Sequence, residues 1–271
     1  MQKLKSNINL LLGTMILLSF LVMLIVSFFY TPYDVNEMQV ENKLQAPSSA
    51  HLFGTDEFGR DIFSRVMKGS QTAFAVGLMT IAIGGFFGVL IGSIAGYAGG
   101  WIDEIFMRLM DALMAFPGII LALMLVAVFD PGIVNTSIAL GIISIPSIAR
   151  VTRSGFIQQK EAEYVTAAKL LGLNHYKIMV KHILPNVFPQ ILVALSVTFS
   201  IALLAEASLS YLGLGVQPPD PSWGRMLKDS QAYMTTSPWY TYAPGAAITL
   251  LVLGFYLLSN AIRDLSDPRS E

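Results

Sequence analysis

Six stretches without Asp, Glu, Lys or Arg divide this sequence of 271 residues, and they constrain its fold more than any other feature. They cover residues 6–33, 69–102, 112–129, 131–149, 182–205 and 230–262. Each can hold a helix of about 17–25 residues, the length that crosses a hydrocarbon core of about 30 Å. The pattern predicts an all-α membrane protein with six transmembrane helices.

The composition indicates the same class and excludes several functions. Hydrophobic residues make up 54% of the chain and charged residues 13%, whereas soluble domains carry about 25% charged residues. A net charge of -1 without basic blocks argues against binding to nucleic acid. Because the chain has no cysteine, disulfides, thiolate nucleophiles and cysteine-ligated metals are excluded.

The N-terminal span resembles a secretory signal in one respect, since Lys3 and Lys5 precede its apolar residues. The apolar run from Leu10 to Phe29 is about 20 residues long, however, and the apolar region of a signal peptide has only about 7–15. No A-x-A-like cleavage site follows it. We therefore expect a retained transmembrane helix at this end.

Positive charge predicts the orientation of the chain, because Lys and Arg favour the cytoplasmic ends of transmembrane helices. If the N-terminus is cytoplasmic, eleven of the 17 lysines and arginines, from Lys3 to Arg269, fall in inner segments and six in outer ones. This excess predicts that both termini are cytoplasmic. Two outer segments, 30–70 and 208–242, are rich in Pro, Gly, Ser and aromatic residues, which predicts ordered loops with short interfacial helices.

The second span carries a glycine at every fourth position. These glycines are Gly84, Gly88, Gly92, Gly96 and Gly100, with Gly77, Gly85 and Gly99 nearby. Glycines spaced by four lie on one helical face and let a second backbone approach closely, which is how membrane helices associate. We predict a packing ridge here. A second interpretation is that so smooth a ridge lets helices slide or rotate against each other during transport.

The sequence contains no motif for catalysis or metal binding. The phosphate-loop pattern G-x-x-x-x-G-K-[ST] and the zinc pattern H-E-x-x-H are both absent. His175 and His182 lie seven residues apart without a carboxylate cluster, so we interpret them as interfacial residues rather than as metal ligands. We therefore predict neither catalytic residues nor a metal site.

Glu206 is the one acidic residue within or at the end of a predicted span. A charge at the centre of a membrane helix costs about 2.5–3.5 kcal/mol, so such a residue should face protein or water. One hypothesis places Glu206 on a translocation path. The alternative is that it is solvated at the outer interface.

The segment "EYVTAAKLLGLNHYKIMVKHILPN", Glu163 to Asn186, is unusually polar for this chain and predicts two short helices. Glu161 and Glu163 suit a helix start, Gly172 suits a left-handed helix end, and Asn174 can cap a second helix. That second helix has an apolar stripe, which we expect Pro185 to end. The stripe consists of Tyr176, Met179, Val180, Ile183 and Leu184.

The orientation places this helical hairpin in the cytoplasm, and its apolar faces are too small to span a membrane. One interpretation is that it packs on its own helix bundle or lies in the membrane interface. The other is that it inserts into a groove of a cytosolic partner. The physical pattern alone leaves both open.

The same string resembles the cytoplasmic EAA loop of bacterial ABC-importer permeases, with the pattern Glu-Ala-Ala, three residues, Gly, nine residues, Ile-x-Leu-Pro. The matching positions are Ala167, Ala168, Gly172, Leu184 and Pro185. Thr166 stands where the motif has glutamate, and His182 stands at the isoleucine position. Glu163 is the nearby acidic residue that can compensate for the missing glutamate.

Three further strings, 51–74, 96–123 and 206–227, resemble the C-type permease of dipeptide, oligopeptide and nickel importers. With the EAA loop they cover nearly the whole chain from His51 onward. The family usually has Arg and Ser at the positions of Gln71 and Ala73. The resemblance implies an ABC type I importer permease fold. Residues 1–70 would form an N-terminal transmembrane helix and an extracellular loop, and 71–271 a transmembrane domain with the coupling loop 156–186.

The resemblance also implies the partners of the chain in the bacterial inner membrane. They are a homologous second permease subunit, two cytosolic ATPases and an extracellular solute-binding protein, with lipid around the helices. ATP and Mg would bind to the ATPases, and this chain would hold no cofactor. The transported solute would be a peptide or a nickel or metal chelate. The residues expected to couple to the ATPase are Glu163, Ala167, Ala168, Gly172, Leu184 and Pro185.

An ion-driven secondary transporter is the main alternative function. Such transporters use carboxylates within the membrane and usually contain inverted repeats. This sequence offers only Glu206 and no convincing repeat. The alternative therefore has less support than the importer.

Overall fold

A computed structural model describes residues 2–266, and over that range the chain folds into ten α-helices without a regular β-strand. Arg269 and the end of the predicted domain 71–271 lie outside the described residues. The helices are α1 (Gln2–Phe29), α2 (Ile62–Ala98), α3 (Gly100–Met114), α4 (Gly118–Phe129), α5 (Ile133–Lys160), α6 (Glu163–Leu170), α7 (His175–Ile178), α8 (Leu184–Tyr211), α9 (Trp223–Ser230) and α10 (Pro238–Ser266).

Five helical segments of the described chain are long and apolar enough to cross a membrane. They are Ile8–Phe29, Ile62–Ala98, Ile133–Lys160, His175–Tyr211 and Pro238–Asp264. A sixth crossing is available if α3 and α4, which meet at an angle of 83°, act as one broken span. The six predicted spans thus correspond to five continuous helices and one broken helix pair, which stands at the third predicted span, residues 112–129. Pro117 disfavours a helical conformation at Phe116, so α3 ends before it and α4 starts after it.

The α2 helix begins seven residues before the charge-free stretch that predicted it. Its first turn is capped by Asp61, whose side chain accepts a hydrogen bond from the Ser64 N–H at 2.7 Å. Arg65 is buried within the helix, and its guanidinium lies 3.8 Å from the Asp56 carboxylate. A charged residue that forms an ion pair can thus lie within the first turns of a long helix. A search for uncharged stretches places the start of such a helix too late.

The predicted glycine ridge on α2 is confirmed at four of its five positions. Gly84, Gly88, Gly92 and Gly96 are buried against α5. A Cβ atom at Gly88 would lie 2.7 Å from Ile148 Cβ, and one at Gly96 would lie 2.7 Å from the Arg153 carbonyl oxygen. Gly100 is the exception, because α2 ends at Ala98 and Gly100 begins α3.

The first span lies at the edge of the helix bundle and packs mainly on α10. A Cβ atom at Gly13 would lie 2.9 Å from the Leu258 nitrogen, and one at Gly254 would lie 2.9 Å from Ile16 Cγ2. Small residues on both helices therefore bring the two backbones together. Most of the remaining surface of α1 is exposed and apolar, as expected for a helix that faces lipid.

The two predicted outer segments are ordered and are joined to each other through the start of α2. The Trp223 indole N–H donates to the Val66 carbonyl at 3.0 Å, and the Thr72 hydroxyl donates to the Pro221 carbonyl at 3.0 Å. The segment before α2 contains the buried ion pair Asp56–Arg60, at 2.6 Å. These contacts confirm that both segments are structured loops with short helices.

Substituting Gly92 by alanine should destabilise the protein, because the new methyl group would meet the Ala149 carbonyl oxygen and lie 2.8 Å from Thr152 Cβ. Overpacking of this kind costs about 1–3 kcal/mol. The matched control is Gly245→Ala in α10, where the nearest atom, Leu227 Cδ2, is 3.8 Å from the added carbon. Thermal unfolding in detergent should show a lower transition temperature for Gly92→Ala, and an unchanged one for Gly245→Ala. Equal transitions for the two variants would contradict the close contact of α2 with α5.

Candidate functional site

The polar segment forms a helical hairpin between α5 and α8. The α6 helix ends in a turn at Gly172, which has φ of +72°, and the Gly172 N–H donates to the Lys169 carbonyl at 3.0 Å. The Leu173 N–H reaches back to the Ala168 carbonyl at 3.2 Å. Asn174 then caps α7 by accepting a hydrogen bond from the Tyr176 N–H. Gly172 and Asn174 thus have the local roles that the sequence predicts.

The second arm of the hairpin differs from the prediction, because it does not end at Pro185. The chain continues from α7 through a π-helical segment, Met179–Ile183, directly into α8. Pro185 lies in the first turn of α8, where its missing N–H is tolerated. The second arm is therefore the beginning of a long helix rather than a separate short one.

One side of the hairpin is buried in an apolar cluster that joins it to α5 and α8. This hairpin cluster consists of Phe156, Val165, Ala168, Ile178, Ile183, Val187 and Ile191. Tyr176 and Val180, which the predicted stripe placed inside, are instead 71% and 40% exposed. The predicted stripe assumed a regular α-helix with 3.6 residues per turn. The π-helical segment has more residues per turn, so it changes which side chains share one face.

Three hydrogen bonds attach the hairpin to the membrane-spanning helices. The Tyr97 hydroxyl on α2 lies 2.6 Å from His175 Nδ1. The Tyr164 hydroxyl donates to the Gln159 side chain on α5 at 2.7 Å and accepts from the Asn186 side chain on α8 at 3.2 Å. Together with the apolar cluster, these bonds fix the hairpin to α2, α5 and α8.

The opposite side of the hairpin carries exposed apolar residues. Leu170 and Leu171 are 85% and 81% exposed, although both side chains are apolar. We use the term hairpin tip for Leu170, Leu171, Gly172 and Tyr176. Adjacent exposed apolar side chains within a polar segment are typical of a surface that contacts another protein or a membrane.

The six residues expected to couple to a partner do not share one environment. Glu163, Ala167, Gly172 and Pro185 are exposed, whereas Ala168 is buried. Leu184 is half-buried and packs against the hairpin cluster. The structure therefore separates them into residues that a partner can reach and residues that hold the hairpin in place.

A second candidate site is a groove of about 1060 Å³ lined mainly by α5 and α8. Its wall is largely apolar, with hydroxyl groups, one side-chain amide and one charged residue. The hydroxyl-bearing lining residues are Thr80, Ser144, Ser147, Thr198 and Ser208; the amide is that of Gln190 and the charge that of Arg263. Among the described residues, no carboxylate, histidine or methionine lines this groove.

Sequence reasoning missed the groove, although α8 carries a signal for it. The lining residues of α8 recur three or four positions apart, as at Val193, Val197, Ile201 and Ala205, and so lie on one helical face. Their side chains are small or apolar. Such a face has the same pattern as one that packs against a neighbouring helix or lipid, so the sequence does not distinguish these cases.

Glu206 lies on α8 but does not line the groove, unlike its neighbours Ala205 and Ser208. It is 3% exposed, and its carboxylate accepts a hydrogen bond from the Ser210 hydroxyl at 2.7 Å. The Ser222 side chain, at the start of α9, lies beside it. The structure therefore supports neither a solvated position nor a position on the wall of the groove, because Glu206 is directed towards the outer segment.

The fold alters the ionisation of Glu57, which lies outside the membrane-spanning segments. Burial raises the pKa of the Glu57 carboxyl above its ordinary value. A hydrogen bond to Tyr240 opposes this effect but does not cancel it. The protonated form of Glu57 is thus favoured more in the folded protein than in the unfolded chain.

The adjacent residues Ala167 and Ala168 allow a test of how the hairpin is held. Ala168→Leu should loosen the hairpin, because Ala168 is 4% exposed and overpacking costs about 1–3 kcal/mol. Ala167→Leu should leave it in place, because Ala167 is exposed. Hydrogen exchange of the amides in α6 and α7 measures the difference. Equal protection in both variants would show that the cluster does not hold the hairpin.

Comparison with known proteins identifies similar sequences over most of the chain. Residues 88–271 match the family model described as binding-protein-dependent transport system inner membrane component. The chain is 40% identical to the dipeptide transport system permease protein of Alkalihalophilus pseudofirmus, covering 99% of this chain and 88% of that protein. It is 40% identical to the glutathione transport system permease protein of Pectobacterium atrosepticum, covering 92% and 85%.

A third relative and one solved structure extend the comparison. The chain is 38% identical to the probable D,D-dipeptide transport system permease protein of Escherichia coli, covering 95% of this chain and 87% of that protein. Its fold is similar to that of a chain of the inward-facing MetNI methionine ABC transporter, with a TM-score of 0.57 and 17% identity. That match covers 72% of this chain and 94% of the other.

Proposed function

This chain belongs to the family of binding-protein-dependent transport system inner membrane components, and we propose that its hairpin couples ATP hydrolysis on partner subunits to peptide import. It is a multi-pass permease subunit of an ABC importer in the bacterial inner membrane. The predicted ABC importer permease fold is confirmed by the match to the methionine transporter. The cytoplasmic position of both termini stays a prediction.

The observation that carries the proposal is the exposed apolar hairpin tip on a firmly attached hairpin. Leu170, Leu171 and Tyr176 are available to a cleft in an ATPase subunit, and Glu163 and Ala167 lie exposed on the neighbouring helix. ATP and Mg would bind to two such subunits and not to this chain. Thr166 takes the place of the motif glutamate, so the contact would rest more on apolar packing than on a salt bridge.

Movement of the hairpin would act directly on the walls of the groove. The hairpin cluster contains Phe156 of α5 and Val187 and Ile191 of α8, and these two helices provide most of the groove lining. Closure of the ATPase dimer would displace the tip, and the cluster would carry that displacement to both helices as a rigid body. The homologous second permease subunit would complete the path, and a solute-binding protein would deliver the solute from outside.

Peptides are the solute class that the groove and the relatives support best. Hydroxyl and amide groups along an apolar wall can hydrogen-bond to a peptide without binding it tightly. The names of the three similar permeases assign them to the transport of dipeptides, glutathione and D,D-dipeptides. We therefore propose that this subunit forms half of a path for short peptides.

The backbone at Gly172 offers a test of coupling. Gly172→Val should lower ATP-driven uptake by about tenfold, because a β-branched residue at positive φ costs about 1–2 kcal/mol and distorts the tip. Assembly should be unaffected, since a Cβ atom at this position meets no atom within 4 Å. The control is Gly172→Asn, because Asn tolerates this conformation. Wild-type uptake by Gly172→Val would exclude the coupling role.

Reconstitution of the four-subunit complex with its binding protein in proteoliposomes tests the proposal as a whole. We expect uptake of dipeptides that requires ATP and persists when the proton gradient is collapsed. ATPase stimulation by dipeptides, longer peptides and nickel chelates should be compared in the same preparation, with peptides giving the greatest effect. Uptake without the ATPases that follows the proton gradient would instead support the ion-driven transporter.

A further inference from the structure

Arg263, in the last turn of α10, is the only charged residue among those described that lines the groove. Every other arginine in residues 2–266 has a carboxylate within salt-bridge distance. These arginines are Arg60, Arg65, Arg108, Arg150, Arg153 and Arg225. Within residues 8–264, whose side chains the structure describes, Arg263 forms no salt bridge and is exposed. An exposed guanidinium on the wall of the groove can contact a ligand there.

The α8 and α10 helices are consecutive spans of opposite direction, and they pack where the Phe199 and Phe255 rings lie 4.2 Å apart. Arg263 follows Phe255 by more than two helical turns, so it lies at the end of the groove that is nearest to the hairpin and the start of α8. It lines this end together with Val151, Pro189 and Gln190, which are close to the hairpin along α5 and α8. The lining of α8 continues from Pro189 to Ser208, a distance of about 28 Å at 1.5 Å per residue. The groove thus extends over roughly the hydrocarbon thickness of a bilayer, and its positive charge lies at one end.

We propose that Arg263 binds the free carboxylate of the transported peptide at the hairpin end of the groove. This inference rests on the proposed function, because it takes the solute to be a peptide. A guanidinium donates two parallel hydrogen bonds to a carboxylate, and a linear peptide always carries one at its C-terminus. The other polar side chains that line the groove within the described chain are hydroxyls and one amide, and they would contact the rest of the peptide. A positively charged solute would be disfavoured at this end.

An arginine at the inner end of a membrane helix can also serve only to orient the helix. The two roles act at different stages. The orientation of a helix is decided while the chain is inserted into the membrane, whereas a contact with the substrate is made in the assembled transporter. A charge that is removed by mutation and restored after assembly therefore separates them. The chain suits this experiment because it contains no cysteine.

The experiment uses Arg263→Cys in the reconstituted complex with its binding protein and ATPases. We expect ATP-driven uptake of a dipeptide to fall about tenfold, as for loss of a hydrogen bond between charged groups, while peptide-stimulated ATP hydrolysis continues. Labelling with the cationic reagent 2-aminoethyl methanethiosulfonate should restore at least half of the uptake. The neutral reagent methyl methanethiosulfonate should not restore it. Wild type treated with each reagent controls for cysteines of the partner subunits.

The matched control is Arg108→Cys, because Arg108 is an exposed arginine on α3 that pairs with Glu104 and does not line the groove. It should retain wild-type uptake before and after labelling. Arg263→Lys, which keeps the charge, should retain a larger part of the uptake than Arg263→Gln. This pair of variants supplies the test if the cysteine variant fails to assemble.

Three results would overturn the inference. The first is normal uptake by Arg263→Cys, or by Arg263→Gln. The second is equal restoration by the neutral reagent, which would indicate a role of side-chain size. The third is a parallel loss of uptake and ATP hydrolysis, which would indicate a role in contact with the ATPase. Absence of ATP-driven dipeptide uptake by the wild-type complex would instead reject the proposed function itself.

Discussion

The direct contact of the α2 and α5 backbones is the constraint on which the other features of this subunit depend. Four glycines on α2 leave no space for side chains between the two helices, so α5 lies directly against α2. Its other sides pack on α8 and α4, one of its faces lines the groove, and its C-terminal end leads into the hairpin. A displacement of α5 would therefore change the groove and the hairpin together.

The hairpin and the groove are built on the same two helices, so under the proposed function a movement of the hairpin would reach the groove. Phe156 on α5 and Val187 on α8 belong to the cluster under the hairpin, while Val151 and Gln190 on the same helices line the near end of the groove. The path from this cluster to the groove wall is therefore less than two helical turns along either helix.

Local sequence signals predicted those parts of the fold that depend on a single residue type. The glycine spacing predicted a packing ridge on the second span, and Gly172 and Asn174 predicted the hairpin turn. Three features were not accessible in this way. Uncharged stretches do not reveal the break at Pro117, a regular helical period fails at the π-helical segment before Leu184, and the groove combines residues of α5 and α8 whose side chains resemble ordinary packing residues.

The bonds between Trp223 and Val66 and between Thr72 and Pro221 also have a consequence for biosynthesis. The partners in these two bonds are 157 and 149 residues apart in the chain. The bonds at the start of α2 can therefore form only after most of the protein has been synthesised. At about 5–20 residues per second, this interval is on the order of ten seconds. During it, the Val66 carbonyl and the Thr72 hydroxyl lack these partners, and the contact between the two outer segments forms only when the last third of the chain has been inserted.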